Sequence, residues 1–558
     1  MKAFDFTPRL FESLKNYNKT DFMSDLMAGI IVGIVALPLA IAFGIASGVS
    51  PEKGIITAII AGFIISFLGG TKVQIGGPTG AFIVIVYGII QQYGEKGLIV
   101  ATILAGIILV MMGVLKLGTI IKFIPYPIVV GFTSGIAVTI FTTQIKDLFG
   151  LTIDNVPAEF LQKLVVYARH FSTIDIWCTV IGILSVAIIA YTPKFSKKIP
   201  GSLVAIVVMT IVAYLLNNFT GIHVETIGDR FQINPSLPSA QVPEMSWEVV
   251  KGLFPAAITI AILGAIESLL SATVADGVIG DKHNSNTELI AQGAANIITP
   301  FFGGIPATGA IARTMTNINN GGRTPVAGII HAFVLLLILL CLGDLTKQIP
   351  MACLAGVLVI VSYNMSEWRT FKALLKGTKS DITVLLVTFF LTVLFDLTIA
   401  IEVGLVIACL LFMRRVAETT NISVLTDEIN PKHESDIASN EKLIIPSGVE
   451  VYEIDGPYFF GIANKFEEEM RNLGDRPRIR IIRMRKVPFV DSTGLHNLEM
   501  FVDKSKKEGI MIILSGVREN VLVSLKNSKV YGMVGEHNIF SHINGAVAKA
   551  EEIVKQNS

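Results

Sequence analysis

"GGPTGAF", residues 76–82, lies inside a long apolar region, and a near copy, "GGIPATGAI", returns at residues 303–311. The two phrases begin 227 residues apart. Gly and Pro interrupt helices, and the bilayer core offers no water to satisfy the backbone groups they free. Such a phrase at membrane depth is tolerated only where it is buried in protein or lines a cavity. A half-helix that starts near the midplane leaves about four N–H groups without intrahelical acceptors and carries roughly +0.5 charge at that end. Two such starts pointing at each other make an anion site without any Lys or Arg.

The two phrases contain the parts. Pro78 and Pro306 stop whatever precedes them, and Thr79 and Thr308 offer hydroxyls as caps. Gly80 and Gly309 remove side chains, so that a ligand can approach the backbone. Arg313 follows Thr308 by five residues, about 7.5 Å along the second half-helix. An intramembrane Arg faces a cavity or a partner, where it favours anions, or it snorkels to the boundary. Glu267, in "GAIESLLSATVADG", falls near the middle of an apolar segment. It pairs with Arg313, carries a coupling proton by being protonated part of the time, or takes part in a cation site. Asp276 lies nearer the end of that segment and reads as interfacial, and His331 in "GIIHAFVLL" reads as a packing residue. Ala36, Ala40, Gly44 and Gly48 recur at a four-residue spacing, a face for close helix packing. Pro38 either unwinds the middle of that helix, lining the site, or simply kinks it.

The surrounding composition fits a membrane setting. Of 558 residues, 52% are hydrophobic and only 16% charged, against about 25% in an average soluble protein. Residues 441–558 hold 33 charged positions, whereas the first 440 hold 56, so a membrane part precedes a soluble one. A net charge of +1 and the lack of a basic run give no reason to expect nucleic acid. Cys178, Cys341, Cys353 and Cys409 sit in apolar stretches without metal-ligand spacing, so neither a metal nor another cofactor is expected. The first 22 residues are polar and mixed in charge, without the apolar core of a cleavable signal, so targeting falls to the first span.

Spanning a bilayer by helix takes roughly 20 apolar residues. Candidate spans run near 25–47, 54–69, 97–115, 128–149, 174–192, 200–217, 252–276, 286–301, 325–343, 351–363, 381–395 and 398–413. Segments 79–91 and 308–320 are too short to span and read as half-helices, which makes fourteen elements. With the N-terminus inside, 18 basic residues fall on inside segments and eight outside, as the positive-inside rule requires. Both termini are then cytoplasmic. "FGIASGV" ends the first helix at Val49 and "SATVADGV" ends the eighth at Val278, an offset of 229 that nearly matches the 227 above. Two units of seven elements, about 20–218 and 250–416, follow. Seven is odd, so the second unit enters the membrane upside down, the inverted-repeat plan of many secondary transporters. Residues 1–416 thus read as a membrane domain, 417–441 as a polar linker and 442–558 as a small α/β domain. In the last, "GVEVYEI", "RIRIIRMR" and "GIMIILSG" are strands that alternate with amphipathic helices. "PFVDSTGLHNLE" places Asp491, Ser492, Thr493 and Gly494 at a strand-to-helix turn.

Taken together, "DLMAGIIVGIVALPLAIAFGIASGV", "GGPTGAF", "GFTSGIAVTIFTTQIKDLFGL", "GAIESLLSATVADG", "GAIARTMTNINNGGRTPVAGIIHA", "VSYNMSEW" and "TVLFDLTIAIEVGL" resemble the SulP anion-transporter family of sulfate permeases and prestin. The soluble part resembles a STAS domain, and Asp491-Ser492-Thr493-Gly494 matches the D-S-x-G motif of anti-sigma-factor antagonists, whose serine is phosphorylated. The resemblance implies a core and a gate domain, a homodimer, an elevator-like motion and an unknown cytoplasmic partner for the STAS domain. It places the substrate anion at Thr79, Gly80, Ala81 and Phe82 on one side and Thr308, Gly309 and Ala310 on the other. Arg313 and Glu267 match the family's basic and acidic site residues, and Ser492 becomes a regulatory candidate. Many relatives carry Gln after the proline of the first helix, where this chain has Leu39, so one polar substrate contact is missing. Several segments most resemble the bacterial branch that includes a C4-dicarboxylate transporter. The expected function is secondary active, proton-coupled transport of a sulfate-class anion across the bacterial inner membrane, with sodium as the other candidate coupling ion. C4-dicarboxylate or bicarbonate uptake is the close alternative, and a passive channel or voltage-responsive module the distant one. An intramembrane enzyme would need a nucleophile–base or metal-ligand set that the sequence lacks.

Overall fold

The structure, a computed structural model, describes residues 6–119, 125–153, 156–157, 159–195, 200–231, 247–395, 397–425, 428–429, 443–460 and 477–556. It divides into two compact units, Met1–Ala408 and Cys409–Ser558.

The membrane unit is helical because its apolar runs must bond their own backbone. The first long helix, Lys19–Ala46, starts six residues before the expected 25, because the Asn18 side chain caps it by accepting from the amides of Thr20 and Asp21. Helices Pro51–Leu68, Tyr126–Phe149, Ile176–Phe195 and Gly201–Phe219 follow, several opening on proline, where a missing N–H costs nothing. Between Pro51–Leu68 and Tyr126–Phe149 lies Ile83–Val114, divided at Gly94, whose φ of 67° and ψ of −170° break it into a short arm and a spanning arm. Counting the arms separately makes seven elements. A second seven is formed by Trp247–Ile279, Ser285–Ile298, Ile311–Asn319, Val326–Thr346, Met351–Met365, Lys379–Leu394 and Leu397–Thr419. Among the described residues, eight helices are long and apolar enough to cross a membrane. Polar helices Phe160–Arg169 and Trp368–Leu374 have no counterpart in the expected spans.

Close packing rests on small residues. A Cβ at Gly106 would stand 2.7 Å from the Gly293 carbonyl, and one at Gly293 2.6 Å from that of Gly106, so these two helices touch backbone to backbone. The stripe on the first helix does the same, with Ala36 and Ala40 fully buried and Gly44 set against Gly54 of the next helix. Pro38 corrects one expectation. It lies inside an unbroken helix and does not unwind it: the ring is buried, and its neighbours Ala36, Ala40 and Ile41 are fully packed.

The second unit is a five-stranded sheet. Strand Val449–Asp455 pairs antiparallel with Asn421–Leu425 and parallel with Ile479–Lys486, which continues through Met511–Ser515 to Ile539–Phe540. Successive residues face opposite sides of a strand, and both faces here are covered. Tyr452, Ile482, Met484, Ile512 and Leu514 join one core, and Val451, Ile479, Ile481 and Ile513 join the other. That is why the apolar residues of "RIRIIRMR" serve both faces, Ile479 and Ile481 on one and Ile482 and Met484 on the other. Asn421–Leu425 falls within the expected linker 417–441, so part of that stretch is an edge strand of the sheet; residues 430–442 lie outside the described ones.

Candidate functional site

The two glycine-proline phrases meet. Gly76–Gly77 and Thr308–Gly309 form a two-stranded antiparallel ladder, Gly76 opposite Gly309 and Gly77 opposite Thr308. Each strand feeds a helix start: one 3-10 turn, Gly80–Phe82, before Ile83, and Ala310 before Ile311–Asn319. Antiparallel strands send their following helices in opposite directions, so two helix N-termini face one another across the ladder. Neither start is capped by a side chain, and their first amides have no intrahelical acceptor.

The threonines do not cap, contrary to expectation. The Thr79 hydroxyl donates to Glu267 Oε2 at 2.8 Å, and the Thr308 hydroxyl donates to the Gly264 carbonyl at 2.9 Å. Gly264 and Glu267 are one turn apart on Trp247–Ile279, so that helix holds both strands by their hydroxyls. The amides a cap would have used are left without a side-chain cap.

Arg313 is 2% exposed, which excludes a snorkelling side chain. Its guanidinium reaches back across the ladder and donates to the carbonyls of Gly76 (3.3 Å) and Pro78. Among the described ion pairs it has none with Glu267. Gly77, at φ 151°, is the residue that makes room for it, since a Cβ there would collide with Arg313 Nη1. Charge is therefore stored behind the ladder, held by the backbone of the opposite phrase.

A cavity of ≈ 390 Å³ opens beside the helix starts. Thr79, Gly80, Glu267, Gly309, Ala310 and Arg313 all line it. Ala81, Phe82 and Thr308 do not; they are buried in the core, Phe82 against Gly264. Pro38 is also away from the lining, whereas its neighbour Leu39 and Phe43, one turn on, form part of it. The remaining wall is largely apolar, with Ile128, Phe132 and Ile266 among its members. The two glycines are also required by protein neighbours. A Cβ at Gly80 would stand 2.8 Å from Met365 Sδ and 3.3 Å from Ile140 Cδ1, and one at Gly309 would run into the Gln74 side chain.

Asp276 accepts from the His283 ring at 2.7 Å, away from the cavity, and His331 is fully buried beside Gly62. Ser492 is exposed at the first turn of Ser492–Lys507, a helix capped by Asp491, which accepts from the Gly494 amide at 2.7 Å. Asn364 and Glu367 also line the cavity, as does Thr133, and Glu367 has a φ of 41°, unusual for a residue with a side chain. Asn364 lies within "VSYNM" and Glu367 just past it, where no spacing rule singles them out. Glu288, Gln292 and Asn296 also escape notice in the sequence, although their four-residue spacing within an apolar segment is a signal that could have found them.

Residues 22–388 match the Sulfate permease family, and residues 442–546 match the STAS domain. A Bacillus subtilis (strain 168) protein, provisionally named a sulfate transporter, is 41% identical over 494 residues, covering 88% of this chain and 91% of its own. A bicarbonate transporter of Picosynechococcus sp. is 30% identical over 510 residues, covering 87% and 86%. Among solved structures, the murine Solute Carrier 26 family member A9 anion transporter in its inward-facing state superposes with a TM-score of 0.87 at 21% identity. That superposition covers 99% of this chain and 95% of that one, a likeness of fold. The chain therefore belongs to the sulfate permease family, as a multi-pass membrane anion transporter, not an enzyme, that carries a C-terminal STAS domain.

Proposed function

We propose that this protein is a secondary active transporter of a sulfate-class anion, coupled to protons and binding its substrate between the two half-helix starts. The observation that carries this reading is the antiparallel pairing of Gly76 with Gly309 and Gly77 with Thr308. It sets two uncapped, positive helix ends against each other, with the Arg313 charge behind them. The ends contribute roughly +0.5 each, which together with Arg313 makes about +2. Glu267 at the wall removes one unit when ionised and none when protonated. A dianion is therefore matched when Glu267 holds a proton, and that charge balance links a proton to each sulfate. The bound anion would lie beside Thr79, Gly80, Gly309 and Ala310 and touch the first helical amides that follow them, since the Ala310 amide is itself held by the Ile75 carbonyl.

The pairing also supports an inverted relation between the two series of seven elements, with both termini cytoplasmic in a bacterial inner membrane. A homodimer with an elevator-like motion, and Ser492 as a phosphorylation site at a helix start, complete the reading. The 41% identity to a protein named for sulfate favours sulfate. The bicarbonate transporter among the relatives makes bicarbonate the second reading, and succinate the third.

Tracer uptake into proteoliposomes, comparing sulfate, succinate and bicarbonate under imposed proton or sodium gradients, tests it. Sulfate uptake should follow the proton gradient and lose that dependence in Glu267→Gln. Uptake indifferent to both gradients and to Glu267→Gln would overturn the coupled mechanism.

A further inference from the structure

Helix Ser285–Ile298 packs behind the ladder and presents Glu288, Gln292 and Asn296 at a four-residue spacing, hence on one face. All three are at most 1% exposed. The Glu288 carboxylate accepts four hydrogen bonds: from the amide of Gly70 (2.9 Å), the Thr71 hydroxyl (3.0 Å), Gln74 Nε2 (3.0 Å) and Gln292 Nε2 (2.8 Å). Two turns further on, the Asn296 side-chain amide pairs with the backbone of Ala307 in both directions, donating to its carbonyl at 2.7 Å and accepting from its N–H at 2.9 Å. One face of one helix thus grips the chain just before each half of the ladder.

The grip reaches the helix starts. Gln74, held by Glu288, is two residues from Gly76, and its side chain occupies the space where a Cβ on Gly309 would stand. Ala307, held by Asn296, precedes Thr308 directly. Buried polar groups tolerate little displacement, because an unpaired donor or acceptor in an apolar surround is costly. The stripe therefore sets the register of the two strands, and the register sets how far apart the two sets of free amides stand.

We propose that Glu288, Gln292 and Asn296 are positioning residues for anion binding: they touch no substrate and hold the two helix starts at the separation the anion needs. This rests on the reading that the anion sits between those starts. It predicts that disturbing the stripe weakens affinity more than turnover.

Glu288→Gln keeps shape but offers one acceptor oxygen where four donors converge, and Asn296→Asp keeps the contact to the Ala307 N–H but not the donation to its carbonyl. Each is reconstituted and compared with the wild type using whichever of sulfate, succinate and bicarbonate the wild type takes up. Thr287→Val, on the same helix outside the stripe, controls for a generic loss of a buried hydroxyl. The expected result is a KM raised about tenfold or more with maximal rate changed less than threefold in both stripe variants, and no such split in Thr287→Val. Amide hydrogen exchange across 76–82 and 308–313 should quicken in the stripe variants only. Unchanged KM in a folded Asn296→Asp or Glu288→Gln, or equal losses in Thr287→Val, would overturn the proposal, as would faster exchange with wild-type KM. Absence of uptake in the wild type would instead remove the anion-site reading, and the exchange rates would still decide whether the stripe sets the strands.

Discussion

Replacing Arg313 by Met removes the charge and keeps the apolar stem. In this structure the guanidinium has two tasks: it supplies a fixed positive charge beside the cavity, and it bridges the carbonyls of Gly76 and Pro78 from the opposite half of the molecule. The first task can be sized by Coulomb's law. With an anion about 8 Å away and an effective dielectric of about 20, one unit of charge contributes about 2 kcal/mol, or about 30-fold in affinity. The second task is separate, because two buried carbonyls lose a charged donor in Arg313→Met, at about 1–3 kcal/mol each in fold stability. Arg313→Lys distinguishes the two. A lysine retains the charge, but a single ammonium lacks the planar fork that spans two acceptors. The expected order is therefore wild type, then Arg313→Lys about tenfold weaker, then Arg313→Met weaker by about 30-fold or more. The assay is the concentration dependence of tracer anion uptake in proteoliposomes, with melting temperature measured on the same preparations. An Arg313→Met protein that is folded and binds like the wild type would refute the electrostatic role. Arg313→Lys as weak as Arg313→Met would refute the division into charge and bridge.

Gly77→Ala should act through the same residue: its Cβ would meet Arg313 Nη1 at a backbone angle that L residues rarely adopt, so uptake should fall at least tenfold with retained expression. Wild-type uptake in Gly77→Ala would show that Arg313 is not held by that carbonyl pair. Lys163, on the polar helix Phe160–Arg169, is buried over the Tyr87 ring, and burial pulls its ammonium down to about 8. Below pH 8 the buried lysine is charged in both folded and unfolded states and weakens the fold. Between pH 8 and the unfolded value of 10.5 only the unfolded chain keeps the proton, so wild-type stability rises with pH. Lys163→Met should therefore melt higher at pH 7, with a gain of up to about 3 kcal/mol, and the gain should shrink toward pH 10. A gain independent of pH would contradict the buried-charge account.

The helices are legible in the sequence because lipid leaves a chain few choices: an apolar run near 20 residues must bond its own backbone. The half-helix starts are legible for the same reason, since Gly76–Thr79 and Gly303–Thr308 would be intolerable in lipid unless they faced a protein cavity. What each side chain does there is set by partners far away in the chain. Thr79 has a choice between capping its own helix and bonding Glu267, and a residue 188 positions on decides it. Arg313 finds its carbonyls 235 and 237 positions back. The unbroken helix at Pro38 is likewise a tertiary result, since proline's local preference for a break yields to the packing of its buried neighbours Ala36, Ala40 and Ile41. Asn421–Leu425 looks like part of a polar linker because an edge strand has only one neighbour to declare it. Glu288, Gln292 and Asn296 are the reverse case: the periodicity is present, but only the folded chain reveals that two strands converge on that face.

The most direct measurement is an anomalous-scattering map of crystals grown with a heavy analogue of the transported anion, selenate if uptake selects sulfate and bromide-labelled succinate if it selects succinate. The account predicts one anomalous peak in the cavity, within hydrogen-bond reach of amides at Gly80–Ala81 and Ile311–Ala312, that is lost in Arg313→Met. A peak elsewhere in the membrane unit, in a protein that transports the anion, would contradict it.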